Sequence, residues 1–414
     1  MHKRRNLLLI TFIIISSSLF YISVINNGTT FSSAIISADT YKITSALSEI
    51  STSNEAFTEE CAESKLMYGN YCVLSPYSEP KRNIEYESLV TLSTQSTVEF
   101  LHHVPVLCQR WSGPISVAVY SPVDDYLDAR RLVHALRHCD FCTRYWVEWH
   151  FFFQKQEIPF FMDTQLPQDC QSLMDFKLKK RRSQGIYPIN VGRNIARTKT
   201  ETPYVFSIDI ELYPSLGILS KFERMVNLKR PSEVPQVWVV PVFEVHSQFR
   251  APFTKSGLRS MYLKKQAISF HKYRCDVCHR IPNVTEWIQY KDSSNSEAAE
   301  SLEPLKIWTT VKRNRHFRLD SWEPFFIGTR EDPEFDIRLS WEGKQNKMQV
   351  AYEMCLMDYD FHIIQNAFLV HAPGINIYNV SEAKLKSKYM WENQKLMSVI
   401  KNNLIKKFGH KKDC

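Results

Sequence analysis

The chain has 414 residues with 44 % hydrophobic and 13 % aromatic content, which supports one large α/β domain or two smaller ones and excludes general disorder. A formal charge of +8 is mild for this length and suits anionic ligands such as nucleotides or acidic glycans, as well as an ordinary soluble surface. There is no zinc-finger, helix-turn-helix or RNA-binding signature, which argues against nucleic acid as a partner.

At the N-terminus, His2-Lys3-Arg4-Arg5 precedes an apolar run from Asn6 to Ile25. About 20 such residues span a bilayer, and the basic flank is expected to stay cytoplasmic. A cleaved signal peptide competes, but its apolar core is shorter, about 7–15 residues, and ends in a small-x-small exit that Ser16–Ser18 do not supply. The expected layout is a cytoplasmic tail at 1–5, an uncleaved signal anchor at 6–25, a luminal stem at 26–87 and a single catalytic domain at 88–414. The early stem is rich in Ser, Thr, Ala and Asn, as a tether is. In that compartment the ten cysteines are expected to form disulfides. The pairs Cys139/Cys142 and Cys275/Cys278 also have the spacing of a four-cysteine zinc site, and spacing does not fix the connectivity. Asn27, Asn283 and Asn379 head N-x-S/T triplets compatible with glycosylation.

In chain order, Gly113–Pro122 reads as a buried strand and Asp124–Cys139 as a helix, with Leu127, Leu132, Val133 and Leu136 on one side. Tyr145–Phe153 reads as a second strand. An amphipathic helix at Asn190–Arg197 and the buried strand Pro203–Ile208 follow. This β-α-β-α-β order predicts a parallel, doubly wound sheet. Further on, Val234–Val245 reads as a strand interrupted by Pro241, Lys347–Met357 as a helix and Phe361–His371 as a strand. The tail from Glu382 has helical spacing.

The stretch everything is arranged around joins that third strand to Asp209 and Glu211, one residue apart. Along a strand, residues i and i+2 face the same way, so the two carboxylates are expected side by side at a strand end, where open α/β sheets place their ligands. Hard oxygen ligands suit Mg²⁺ or Mn²⁺ bridging to a diphosphate, although an isolated acidic pair also reads as a solvated turn. His371, at the end of a strand, is either a third ligand or a structural histidine. Arg193 and Arg197 lie one turn apart, interleaved with Asn190 and Asn194. They read either as a diphosphate grip or as a solvated helix face. No P-loop, G-x-G-x-x-G, G-x-S-x-G or H-E-x-x-H motif occurs.

Taken together, FLHHVPVLCQRWSGPISVAVYSP, YPINVGRNIAR, the Asp209-Ile210-Glu211 strand, VVPVFEV, YRCDVCHRIPNVTEW, SWEPFFI, NKMQVAYEM and FLVHAPG resemble glycosyltransferase family 49 from about Ser88 to Gly374. The resemblance implies a GT-A-type α/β fold, a type II Golgi membrane protein, and Mn²⁺-dependent inverting transfer from a UDP-sugar to a glycan on a glycoprotein or glycolipid. Glucuronic acid is the leading donor sugar, with N-acetylglucosamine or xylose behind it. The resemblance assigns Asp209, Glu211 and His371 as metal ligands and the helix bearing Asn190, Arg193, Asn194 and Arg197 to the nucleotide-sugar site. Val117–Ser121 falls to that site as well. Trp322, Glu323 and Asn346 fall near sugar and acceptor, and Asp336, then Glu334, are the implied bases. The second acidic position is Glu211 where the family usually has Asp, Ile337-Arg338-Leu339 replaces Glu-Arg-Phe, and the loop SWEGKQNK is one residue longer. These departures keep open a catalytically impaired relative that binds glycans. A homo- or hetero-oligomer is also left open.

Overall fold

The structure, a computed structural model, describes residues 67–81, 88–157, 169–170, 186–228, 232–290, 303–312, 321–375 and 380–414. The expected tail and anchor, most of the stem, Asn27 and Asn379 lie outside these residues. Among the described residues no helix is long and apolar enough to cross a membrane.

The first strands are β1 (Met67–Tyr68), β2 (Tyr71–Ser78), β3 (Val90–Thr97), β4 (Ile115–Tyr120), β5 (Val147–Gln154) and β6 (Tyr204–Ser207). They are followed by β7 (Leu212–Pro214), β8 (Gln236–Val239), β9 (Val242–Val245), β10 (Ala267–Ser269), β11 (Ile307–Val311), β12 (Phe326–Thr329), β13 (Asp360–Ile364) and β14 (Leu369–His371). Ten of them form one sheet in the order β1-β2-β5-β4-β3-β6-β12-β8-β13-β11. Its heart, β5-β4-β3-β6, is parallel. Antiparallel β12 then joins it to the parallel pair β8–β13. The sheet is therefore mixed, with the expected parallel winding limited to these strands. The remaining strands make a second sheet, β10-β9-β14-β7.

Two runs that read as single strands are split between the sheets. Pro241 lacks the N–H a ladder needs, so Val234–Val245 breaks into β8 and β9. Phe361–His371 divides likewise into β13 and β14. β2 pairs with β5 inside the main sheet, so the folded body begins upstream of residue 88, where the sequence reading ended the stem.

The helices that matter below are α1 (Val104–Trp111), α2 (Val123–Cys139), α3 (Phe141–Trp146), α4 (Ile189–Thr198), α5 (Met348–Leu356), α6 (Val380–Leu385) and α7 (Ser387–Phe408). The main apolar cluster lies around β3, β4, β5 and β6 and includes Trp111, Trp149 and Phe206. A second surrounds Trp287, Trp322 and Phe361, and a third joins α5 to α7 through Met348, Tyr352, Met397 and Ile400.

The disulfides are Cys108–Cys142, Cys139–Cys170, Cys275–Cys278 and Cys355–Cys414, and Cys72 is also disulfide-bonded. The C-x-x-C pairs thus form no shared zinc site: Cys139 and Cys142 tie α2 and α3 to different partners, and Cys275 closes on Cys278. Cys355–Cys414 spans 59 residues and holds the end of the chain to α5. Cys414→Ser is expected to lower stability by about 2–4 kcal/mol, the usual cost of opening a long loop, as read from denaturant unfolding.

Candidate active site

β3 is fully buried along its length yet carries Thr91, Ser93, Thr94, Gln95, Ser96 and Thr97. Hydrogen bonds offset part of the cost, as when Ser93 Oγ meets Ser207 Oγ of β6 at 2.7 Å, while Thr94 Oγ1 and Gln95 Oε1 are buried without one. α4 crosses β3 at Gly192. A Cβ there would lie 2.8 Å from the Cβ of Gln95 and 3.0 Å from Phe152, so the approach requires glycine.

That close approach places Arg193 against the acidic stretch. Asp209 lies beyond the end of β6, in a turn closed by Leu212 N–H donating to the Asp209 carbonyl at 2.9 Å. The two carboxylates are therefore not i and i+2 on one strand face, as the sequence suggested, and they engage different partners. Asp209 Oδ1 accepts from Arg193 Nη2 at 2.8 Å and from Gln95 Nε2 at 3.1 Å, and Oδ2 accepts from Lys347 Nζ at 3.0 Å. Burial alone would raise its pKa, but Lys347 and Arg193 outweigh burial and hold the carboxyl far below the ordinary carboxylate range.

Glu211 faces the second sheet. In the β7–β14 ladder His371 pairs with Leu212, which brings its ring beside the neighbouring carboxylate. Glu211 Oε2 is 3.5 Å from His371 Nε2, and Oε1 is 3.9 Å from His103 Nε2. Each imidazole is fixed through its other nitrogen, His371 by the Ala372 carbonyl at 2.8 Å and His103 by Tyr213 Oη at 2.7 Å. Burial lowers both histidines. It wins for His103, at about 4, whereas the adjoining Glu211 carboxylate leaves His371 raised above the ordinary imidazole value. The donor types of Asp209, Glu211 and His371 suit Mn²⁺ or Mg²⁺, and an anchored imidazole beside a carboxylate is what a metal ligand needs around it. Among the described residues, however, no three His, Cys, Asp or Glu side chains converge as a ready metal cluster. Asp209 is drawn toward Lys347 and Arg193 instead.

Gln95, Arg193, Asp209 and Glu211 line a cleft of about 1040 Å³, together with Glu323 and the loop from Trp341 to Lys347, whereas His103 and His371 are not among its lining residues. Glu323 Oε1 accepts from the Lys347 N–H at 3.1 Å, at the start of α5, and Oε2 lies 3.6 Å from His279 Nε2. Asn346 Oδ1 accepts from Arg193 Nη1 at 2.6 Å.

Other expected site residues sit elsewhere. Asn194 clasps the backbone of Phe335 through both ends of its amide. Asn190 Nδ2 donates to the carbonyls of Asp336 and Asn346. Arg197 donates to the carbonyls of Thr329, Arg330, Asp332 and Pro333. Trp322 is buried against Phe361 in the second cluster. Asp336 is held in the fork of Arg338, and Glu334 accepts from the Tyr68 hydroxyl; neither lines the cleft. Lys347, Gln95 and His103 were missed, and only Lys347 had a sequence cue, standing next to Asn346.

Comparison with known proteins gives these residues a context. A family model described as "Glycosyl-transferase for dystroglycan" matches residues 89–409. Beta-1,4-glucuronyltransferase 1 of Danio rerio is 29 % identical over 300 residues, covering 68 % of this chain and 66 % of the relative. The Homo sapiens protein of that name is 28 % identical over 302 residues, with 68 % and 67 % covered. Xylosyl- and glucuronyltransferase LARGE2s of Gallus gallus is 25 % identical over 331 residues, covering 77 % of this chain but 36 % of the relative. This chain thus matches about two thirds of the glucuronyltransferases and about a third of the LARGE protein. Among solved structures, S. aureus TarS aligns with a TM-score of 0.36 at 10 % identity, over 75 % of this chain and 39 % of TarS, too distant to bear on the site. With the family model matched across the folded body, the chain belongs to glycosyltransferase family 49.

Proposed function

We propose that the protein transfers a sugar from a UDP-sugar to a glycan acceptor, with glucuronic acid as the leading donor sugar. The observation that carries this is Asp209 on the cleft wall, clasped by Arg193 and Lys347 and followed two residues later by Glu211 beside His371. Glucuronyl transfer is what the relatives' names have in common, and xylose remains the second donor, since the LARGE relative is also named for it. The apolar run after a basic flank supports a type II membrane anchor with this domain on the far side of the membrane, and the Golgi is what the family resemblance implies.

In this reading Asp209, Glu211 and His371 would hold Mn²⁺ or Mg²⁺, which when bound supplies positive charge to the diphosphate leaving group. Arg193 and Lys347 add two fixed cations at the same wall, so negative charge gathering on the departing UDP is met by groups already in place. The acceptor hydroxyl attacks the anomeric carbon as the bond to the β-phosphate oxygen breaks. A single displacement through an oxocarbenium-like state inverts that carbon. The hydroxyl proton needs a base on the acceptor side. Glu323 lines the cleft and is anchored by the Lys347 N–H, whereas Asp336 is bound to Arg338 away from it. We therefore assign the proton to Glu323.

UDP release should be measured across a panel of UDP-sugars, with Mn²⁺ and with chelator. Metal-dependent turnover of one donor supports the reading, and failure of UDP to bind with Mn²⁺ present rejects it. Glu323→Gln is expected to lower kcat by about 10²–10⁴-fold while UDP affinity stays within about twofold, the pattern of a lost general base. Equal losses in both would make Glu323 a binding group instead.

A further inference from the structure

Glu323, the proposed base, is held by the loop that carries Cys275 and Cys278. Its N–H donates to the Cys278 carbonyl at 2.7 Å, and its own carbonyl accepts from His279 Nδ1 at 2.7 Å, so the backbone is clamped on both sides of the residue. The Cys275–Cys278 disulfide closes the loop that supplies the clamp. The His279 ring stacks on Phe325, with centroids 5.6 Å apart, and packs against Phe270 at 4.8 Å. Only 1 % of its side chain is exposed.

These contacts fix which ring nitrogen carries the proton. A carbonyl oxygen only accepts, so Nδ1 is the N–H. Burial holds the imidazole well below its ordinary value. Lys347 and His271 add to that, against the Glu323 carbonyl bond and Asp209, which raise it. The Lys347 ammonium lies 4.1 Å from the centroid of Phe325, and the His271 ring 5.1 Å from that of His279. The ring is therefore neutral, and Nε2 turns a lone pair toward Glu323 Oε2, 3.6 Å away. Oε1 is taken by the Lys347 N–H at 3.1 Å. Two acceptors facing each other just beyond hydrogen-bond length are one proton short of a bond.

We infer that His279 is a positioning residue for the transfer, which keeps Nε2 unprotonated so that Glu323 Oε2 receives the acceptor hydroxyl proton and holds it in an O–H···N bond. The inference rests on the transferase reading with Glu323 as its base, and goes beyond it in saying where the proton stays. In the step, the acceptor O–H bond breaks and its electron pair forms the bond to the anomeric carbon. The bond from that carbon to the β-phosphate oxygen breaks, its pair leaving on UDP, while the proton forms the Oε2–H bond. The proton goes no further, because an imidazolium would be buried near the Lys347 ammonium. A proton on Oε2 leaves His279 neutral, as its surroundings require, and passes to water when the product departs.

Amides of different reach test the two ring nitrogens separately. His279→Asn places an amide N–H near the position of Nδ1, so the bond to the Glu323 carbonyl is kept, but it has nothing at Nε2. His279→Gln brings an amide oxygen to the position of Nε2 and gives up the bond to the carbonyl. On the full chain, kcat for UDP release from UDP-glucuronate with water as the acceptor, UDP affinity and the unfolding midpoint are measured. The set includes both variants, Glu323→Gln and the double variant Glu323→Gln/His279→Asn. His279→Asn is expected to lower kcat about 10- to 100-fold, with UDP affinity within about twofold and a midpoint close to the parent's. His279→Gln should lose more stability and retain more of kcat. The double variant should be no slower than Glu323→Gln alone, since His279 acts only through that carboxylate. ¹⁵N NMR of the unsubstituted chain should show His279 Nε2 without a proton from about pH 5 to 8. Parental kcat in His279→Asn, losses that multiply in the double variant, or an Nε2–H in the spectra would overturn the inference and leave His279 a brace for the backbone. If the parent neither releases UDP nor binds it with Mn²⁺, the transferase reading itself fails and this inference with it.

Discussion

Replacement of Asp209 by Asn is expected to lower sugar transfer by about 10³-fold or more, the scale seen when a group fixed against developing charge is removed. The substitution keeps the shape of the side chain and one acceptor oxygen but removes its charge. Arg193 and Lys347, with only 4 % and 10 % of their side-chain surface exposed, would then face a neutral amide and repel each other. Breaking a buried ion pair costs about 3–5 kcal/mol, but Asp209 keeps 28 % of its side chain open to the cleft, so screening should reduce the loss to about 1–2 kcal/mol. The pH dependence gives a separate reading. Burial opposes the charged carboxylate, yet its two cations hold its folded pKa far below the unfolded value of about 3.9. Its contribution to stability is therefore fully present above that value and fades only as pH falls below it. Thermal melts of the two proteins should differ by a constant amount at neutral pH and converge in strong acid. Turnover within tenfold of the parent, with UDP binding intact, would remove Asp209 from the reaction.

How much of this was readable from the chain depends on what kind of force fixes each part. Ile115–Tyr120, Val123–Cys139 and Ile189–Thr198 follow apolar periodicity, and their bounds lie within a few residues of the expected ones. The strand Val90–Thr97 was not found, because VTLSTQST carries its information in hydrogen bonds across the sheet and in the fit to Gly192, neither of which is periodic. Long-range register explains the rest. Nothing local says that Leu212 pairs with His371, or that His103, far upstream of Glu211, turns its ring toward it. The acidic pair was found as residue types and misread as geometry, since a turn after Ser207 sends Asp209 and Glu211 to different sheets' partners. The resemblance carried Glu323 and Asn346 to the cleft. It also carried Asp336, which the changed Ile337-Arg338-Leu339 segment ties to its own arginine.

Arg197→Met is expected to cost about 3–5 kcal/mol of stability, comparable to breaking a buried ion network, while leaving donor binding nearly unchanged. One turn before it on α4, Arg193 points its guanidinium at Asp209 and Asn346, but Arg197 spends its donors on carbonyls between Thr329 and Pro333. The group is buried at 5 % exposure, and burial lowers its pKa, opposed by Asp332 and Glu334. Methionine matches much of the volume and none of the guanidinium donors, so those carbonyls lose their partners in a place water does not easily reach. The segment they belong to also carries Phe335, which Asn194 clasps, so α4 and residues 329–336 should loosen together. Arg193→Met should behave in the opposite way, with donor KM raised about tenfold or more and a smaller loss of stability, because a charge-assisted contact to the ligand is removed at the open wall. Denaturant unfolding and donor titration on the same two variants separate the roles. An unchanged unfolding midpoint in Arg197→Met, with donor KM raised as in Arg193→Met, would return that guanidinium to the nucleotide site and make the carbonyl contacts a resting state of a mobile arm.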